Sequence, residues 1–302
     1  MRIAVVGASG FVGRHLIRAG VASGHEMVGV VRKAEAQKAV ARLGGTGTVV
    51  EGLSDPRLPG SLAGAATVVH LAQVSAERGA ATYEAVNVQG TRALLDASQR
   101  AGVGRVILFS GLGVARYGIA PFSTNGYFLS KLAAEVELFR SGLHGIVFRP
   151  SYILGAGDAL LPVVVEDLAK GDVEIIGDGS YRLQPVAVAD AVAAVLEAAG
   201  KGGPLVFDLV GPEPLSWVDF VRRAAGAAAR RGMKAEARFR HVPVAEARSR
   251  AAHGGYRGLQ QDEVDVVLCD EVSDHRRLEA LVGRPLLGLD EALDSALRGL
   301  SP

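Results

Sequence analysis

The 302-residue chain predicts an α/β fold: a doubly wound parallel sheet with a smaller C-terminal α/β lobe. Two observations carry that prediction. Short apolar runs alternate with helix-like stretches through the first half, at Arg2–Val6, Glu26–Val31, Thr48–Glu51, Thr67–Leu71, Arg105–Phe109 and Gly145–Phe148. Strands that are apolar almost throughout and alternate with helices belong to a parallel sheet covered on both faces. The first run also opens directly into Gly7, Gly10 and Gly13, after which Phe11, Val12, Leu16 and Ile17 recur at helical spacing on one face.

The remaining elements follow in order. Leu205–Leu209 reads as one more strand of the same sheet. After Pro150 the rhythm breaks into a helix over Leu160–Lys170, a Gly177-Asp178-Gly179 turn and a helix over Val188–Ala199. Beyond Val210 the composition changes, with a helix over Trp217–Arg231, a strand over Ala235–Val242 and a glycine-containing loop over Ala251–Gln261. Residues 1–150 with about 186–210 are therefore expected to form the larger lobe, and 151–185 with 211–302 the smaller one.

Composition narrows the partners. A net charge of +1 gives no electrostatic footprint for nucleic acid or an acidic membrane surface. A single cysteine, Cys269, excludes an internal disulfide framework and supplies no CxxC metal pair, so it reads as a small core residue in a reducing compartment. No apolar run reaches the ~18 residues that would span a bilayer, and no cleavage signal follows the apolar start. The expectation is a cytoplasmic protein, not inserted in a membrane, acting on a small molecule.

The glycine turn gives that expectation its chemistry. A dinucleotide's diphosphate is concentrated negative charge, and the first turn of a helix offers unpaired N–H groups and a positive dipole end. In a Rossmann-type domain the first glycine, Gly7, makes the tight turn, Gly10 clears space for the pyrophosphate, and Gly13 lets helix pack on strand. Ser9, Phe11 and Val12 complete the cradle. At the end of the second strand an acidic residue selects NAD, whereas a basic one accepts the 2′-phosphate of NADP. Arg32 and Lys33 stand there, which favours NADP over NAD, with Arg32 the main contact.

Tyr127 and Lys131 lie four residues apart, on one helix face. A phenol is a poor proton shuttle at neutral pH, and a neighbouring ammonium stabilises its phenolate, so the pair reads as an acid/base device.

Here the chain resembles the short-chain dehydrogenase/reductase superfamily, in its extended or atypical branch of NAD(P)-dependent epimerase/dehydratase-like proteins. The resemblance rests on Gly7 to Gly13, Val68-Val69-His70-Leu71-Ala72, Asn87-Val88-Gln89-Gly90-Thr91, Tyr127 to Lys131, Arg149-Pro150-Ser151 and Val186 to Ala191. It implies that Leu53 lies over the adenine, that Leu71, Ala72 and Gln73 run beside the cofactor, that Lys131 also holds the nicotinamide ribose, and that Pro150 to Tyr152 face the nicotinamide.

Two departures bear on function. The family's catalytic Ser or Thr follows the fifth strand, where this chain reads Phe109-Ser110-Gly111-Leu112-Gly113. Ser110 is the candidate catalytic hydroxyl, but the aligned position is Gly111 or Leu112, and a missing donor costs on the order of 10² in rate. Ser123 or Thr124 is the alternative source. Sugar-nucleotide enzymes of the family carry an Arg-Asp-Phe-like segment, and Arg182-Leu183-Gln184 departs from it, which points away from nucleotide sugars and towards the complex I nucleotide-binding accessory subunit group.

Other residues weigh less. Asn87 reads as a water-positioning group or a helix cap, Asp190 as an organiser of the helix after the sheet, and His70 and His144 as structural. Phe122, Tyr152 and Trp217 are candidates for a substrate wall or for core. Two functions follow: an NADP-dependent oxidoreductase or epimerase acting by hydride transfer, and a non-enzymatic NADPH-binding protein that is structural or redox-sensing. A homodimer through sheet-flanking helices is the family-based expectation.

Overall fold

In the computed structural model the described residues are 1–300 except Tyr117, Ala120, Pro204, Gly254, Gly255, Arg257 and Gly258; of Asp262 only the backbone is described. Part of the loop expected over Ala251–Gln261 thus lies outside the described residues.

The strands are β1 (Arg2–Val6), β2 (Glu26–Val31), β3 (Thr46–Val49), β4 (Thr67–His70), β5 (Arg105–Phe109), β6 (His144–Pro150), β7 (Ile153–Leu154), β8 (Val173–Ile176), β9 (Arg182–Leu183), β10 (Val186–Ala187), β11 (Leu205–Leu209), β12 (Leu215–Ser216) and β13 (Phe239–Val242). Seven of them form one parallel sheet in the order β11-β6-β5-β4-β1-β2-β3. This is the Rossmann-type doubly wound arrangement that the alternation predicts. The chain order reverses at β1, with β2 on one side and β4 on the other, so the crevice lies beyond Val6 and His70.

Register corrects several expected boundaries. The third strand is Thr46–Val49 and not Thr48–Glu51, because its pairing with Val28–Val31 begins at Thr46. The sixth strand reaches Pro150 because β11 pairs along it as far as Leu209. The expected strand over Ala235–Val242 shortens to β13, the part that pairs with Val173–Ile176. Helices at Leu160–Lys170, Val188–Ala198 and Trp217–Arg230 fall within one residue of expectation. Four further helices, Val244–Ala252, Gln261–Val267, Arg276–Val282 and Leu289–Leu297, occupy the region where the sequence offered few signals.

Two cores cover the sheet. One face holds Ile3, Val5, Leu16, Ile17, Ile107 and Val195, and the other Val28, Val68, Leu94, Leu108 and Leu138. Each fully buried Leu or Ile contributes about 1.5–3 kcal/mol, so the glycine turn is anchored at both ends by residues that exclude water. A third core gathers Leu161, Leu168, Phe220, Ala224 and Leu293 around β8 and β9. The chain then returns: Leu278 and Leu281 pack back into the first core. Helix Gly126–Arg140 leaves Leu129, Val136 and Phe139 exposed on its outer side. No helix among the described residues is long and apolar enough to cross a membrane.

Candidate active site

The turn after β1 is built on backbone proximity. Gly7 sits at φ 90°, and a Cβ there would lie 3.0 Å from the Ala72 nitrogen. Leu71 N–H in turn donates to the Val6 carbonyl, so the turn and the 71–72 segment are held together at the sheet's end. At Gly13 a Cβ would stand 2.5 Å from the Gly7 oxygen, which leaves no alternative to glycine if helix Phe11–Ala22 is to lie this close. That helix has Gly10 as its N-cap and no side-chain cap, and Ser9 and Gly10 are exposed. An uncapped, glycine-lined helix start fits a diphosphate. Arg14, which sequence reading passed over, donates to the Ser9 carbonyl at 3.1 Å and adds positive charge beside this turn.

Arg32 and Lys33 follow β2, both exposed, with no ion pair among the described residues. Leu53 is half-buried in the loop after β3 and occupies the space above Gly90, where a Cβ would come within 2.7 Å of its Cδ1. Beyond β4, Asn87 clamps the next loop: its amide oxygen accepts from Val74 N–H at 2.9 Å, and its Nδ2 donates to the Val74 carbonyl and to Ser130 Oγ, each at 3.0 Å. Asn87 is thereby a buried clamp, and the cap of its helix is Thr82.

The clamp brings Gln73 to the tyrosine–lysine pair. Lys131 Nζ donates to Gln73 Oε1 at 2.6 Å, and Gln73 also favours the charged form of the nearby Tyr127 phenol. Asn125 caps the helix by accepting from Phe128 N–H, which fixes Tyr127 in the first turn, with its ring 6.1 Å from that of Tyr83. The expected downward pull of the lysine on the phenol is not what this environment produces. Burial is the larger effect: it pushes the Tyr127 phenol up, aided by the negative charge of Glu271, and lowers the Lys131 ammonium to about 7.

Ser110 lies buried after β5, its N–H donating to the Phe148 carbonyl at 2.8 Å, while its hydroxyl finds no partner among the described residues. The adjoining Gly111 lies between Phe128 and Tyr127, since a Cβ there would meet Phe128 Cε1 at 3.1 Å and Tyr127 Cε1 at 3.6 Å. Thr124 directs its hydroxyl to the Pro121 carbonyl, and Phe122 packs in a small core with Val114 and Phe128.

The third side of the site comes from far along the chain. Pro150 ends β6 and Tyr152 follows it, both half-buried, and Tyr152 lines a cavity of about 30 Å³ with Tyr181, Trp217, Cys269 and Glu271. Burial pushes the Glu271 carboxyl up to about 7 against the opposing pull of Arg116. Arg182 forks onto Asp270 at 2.9 and 2.7 Å, and the buried Gln184 donates to the Gly211 carbonyl and accepts from Ser273 N–H. Asp190 serves the C-terminal segment more than its own helix, accepting from Leu287 N–H and pairing with Arg284. His70 bonds Thr91 through Nε2 and is pushed down to about 3 by burial. Glu271 carries no local motif, because it acquires its place from long-range packing, whereas Arg14 is set beside the turn by its local bond to Ser9.

The model of the NAD dependent epimerase/dehydratase family matches residues 3–207, and the chain belongs to that family. It is similar to a 4-hydroxy-2-methyl-3-oxo-4-farnesyl-3,4-dihydroquinoline-1-oxide ketoreductase of Stigmatella aurantiaca, 29% identical over 274 residues that cover 84% of this chain and 80% of the relative. Mitochondrial NADH dehydrogenase [ubiquinone] 1 alpha subcomplex subunit 9 of Arabidopsis thaliana is 28% identical over 69% of this chain, which spans about half of that relative (53%). Among solved structures, UDP-glucuronic acid 4-epimerase from Bacillus cereus superposes with a TM-score of 0.76 at 18% identity, covering 99% of this chain and 98% of that one. At that identity the likeness is one of fold.

Glu271 makes stability depend on pH. Between the ordinary 4.5 and about 7 the folded chain keeps a proton that the unfolded chain has released, so stability falls as pH rises through the window. The expected loss is on the order of 3 kcal/mol. Lys131 acts in the next window and with the opposite sign, stability rising between about 7 and 10.5 as the folded chain releases its proton first. Urea unfolding at acidic and neutral pH tests the first effect: Glu271→Gln flattens the slope below neutrality, and an unchanged slope refutes it.

Proposed function

We propose that the chain is an NADP-dependent oxidoreductase or epimerase/dehydratase-like enzyme acting on a small carbonyl or hydroxyl substrate. The observation that carries this reading is the bond from Lys131 Nζ to Gln73, on the helix that also carries Tyr127, beside the crevice at the ends of β1 and β4. Residues 1–150 with 186–210 would hold the cofactor, and 151–185 with 211–302 the substrate. The bound nicotinamide supplies or accepts a hydride. Tyr127 Oη gives or takes the hydroxyl proton, and Lys131 Nζ holds the nicotinamide ribose and steadies the phenol. Gly7, Gly10, Gly13 and the open start of helix Phe11–Ala22 receive the diphosphate, and Leu53 covers the adenine.

Arg32 and Lys33, exposed and without ion pairs at the end of β2, support NADP. Titration should find NADPH binding about tenfold tighter than NADH, with Arg32→Asp reversing the order. Tighter NADH binding by the wild type overturns the preference.

Gly111 lies beside Tyr127 without a hydroxyl, and that observation supports the second reading, a non-enzymatic NADPH-binding protein. The two part on Tyr127→Phe in a panel of ketones and alcohols. Cofactor turnover that falls by about 10²-fold or more in the variant supports the enzyme, whereas tight NADPH binding with no turnover in the wild type supports the second reading.

The exposed Leu129, Val136 and Phe139 on helix Gly126–Arg140 support a homodimer through that face. Sedimentation should give a dimer that Phe139→Asp dissociates; a monomeric wild type removes the proposal.

A further inference from the structure

The cavity beside Tyr152 has a composition that the reaction alone does not require. Its volume of about 30 Å³ suits a group of two or three heavy atoms. Aromatic rings wall it: Tyr181 and Trp217 stack with centroids 6.2 Å apart at 16°, and Trp217 stacks in turn on the fully buried Phe220 at 5.5 Å. Into this aromatic box Glu271 brings one carboxyl, which has no hydrogen bond or ion pair among the described residues.

The nearby cations are all engaged elsewhere. Arg182 borders the cavity, but its guanidinium and its backbone N–H are both on Asp270. Arg116 donates to the Val272 carbonyl at 2.8 Å, and Lys131 to Gln73. A half-buried carboxylate without a partner is costly, and aromatic faces attract cations and repel anions. The group that relieves both conditions at once is a small organic cation.

We propose that this cavity receives the ammonium group of an amine-bearing carbonyl or alcohol substrate, with Glu271 as counter-ion and Tyr152, Tyr181 and Trp217 as its aromatic walls. The inference rests on the reading above that substrate lies against Tyr127. The connection is physical: Tyr152 lines the cavity directly after β6, and the charge of Glu271 is felt at both Tyr127 and Tyr152. An anionic group has no free cation to meet there, and an apolar one leaves the carboxyl unpaired.

Trp217 is the chain's one tryptophan, so its emission reports on the cavity wall alone. Titrating the whole protein at mildly alkaline pH with ethylammonium chloride should change that emission saturably. Ethanol, close in size but neutral, should require about tenfold more, as should ethylammonium with Glu271→Gln. Sodium chloride at matched ionic strength should have no effect. A response to ethylammonium that is absent, equalled by ethanol or sodium chloride, or retained in Glu271→Gln overturns the proposal.

If that variant fails to fold, the wild type serves through pH. Its ammonium response should fade as the medium is acidified through about 7, where Glu271 takes up a proton. The other groups lining the cavity do not titrate in this window; Lys131, which does, lies outside the lining, and repeating the acidification in Lys131→Met separates it from Glu271. Tyr152, Tyr181 and Cys269 are pushed up by burial and stay neutral, and Asp270 is pulled down by its bonds from Arg182. A response that persists unchanged at acidic pH overturns the assignment to Glu271. Failure here is separable from failure of the enzymatic reading: Tyr127→Phe should keep the ammonium response while losing turnover.

Discussion

The site depends on β1 being paired on both sides, to β2 and to β4. A strand in that position has its ladder hydrogen bonds satisfied along its length, and the chain leaving it must turn where two neighbouring strands diverge in order. Gly7 makes that turn at positive φ and in near contact with Ala72, so the glycine cradle and the loop carrying Gln73 are positioned by the same packing. A side chain at Gly7 or Gly13 would part the strand from its helix or from the 71–72 segment, and with them the two halves of the crevice.

From that crevice outward, polar groups are held by partners that lie far away in sequence. Asn87 pins Val74 and Ser130, which sets Gln73 against Lys131 and Tyr127. The pair is therefore mounted on a clamp reaching across three elements. Removing water from it has an electrostatic consequence: the phenol rises and the ammonium falls, because each resists the charged form in a dry setting. A phenol and an ammonium desolvated in this way resist their charged forms until a polar group enters beside them.

The C-terminal segment closes the third side. Gln184 joins Gly211 to Ser273, Ser273 Oγ donates to Asp208, Arg182 holds Asp270, and Arg116 holds Val272. These contacts fix residues 270–273 between the large sheet and the smaller core, and Glu271 sits in their midst. Arg182 and Gln184, one displaced and one substituted relative to sugar-nucleotide enzymes, are structural ties in this chain. Their side chains hold loops together at the edge of the cavity that Arg182 lines.

What the sequence determined by itself is what local chemistry encodes: apolar strands in alternation with helices, a glycine turn whose spacing only close backbone approach requires, a basic pair after β2, and a tyrosine and lysine one helical turn apart. Strand limits were legible to within a few residues; β3 and β13 shifted because pairing with Val28–Val31 and Val173–Ile176, not propensity, decides where a strand begins. Tertiary structure alone decided the Asn87 clamp, the bond from Lys131 to Gln73, the direction in which Tyr127 and Lys131 titrate, and the arrival of Glu271 beside Tyr152. Each of these is a matter of burial or of contact between distant segments. A linear pattern records which groups a residue has near it along the chain, whereas desolvation and long-range pairing depend on which groups the folded core brings around it.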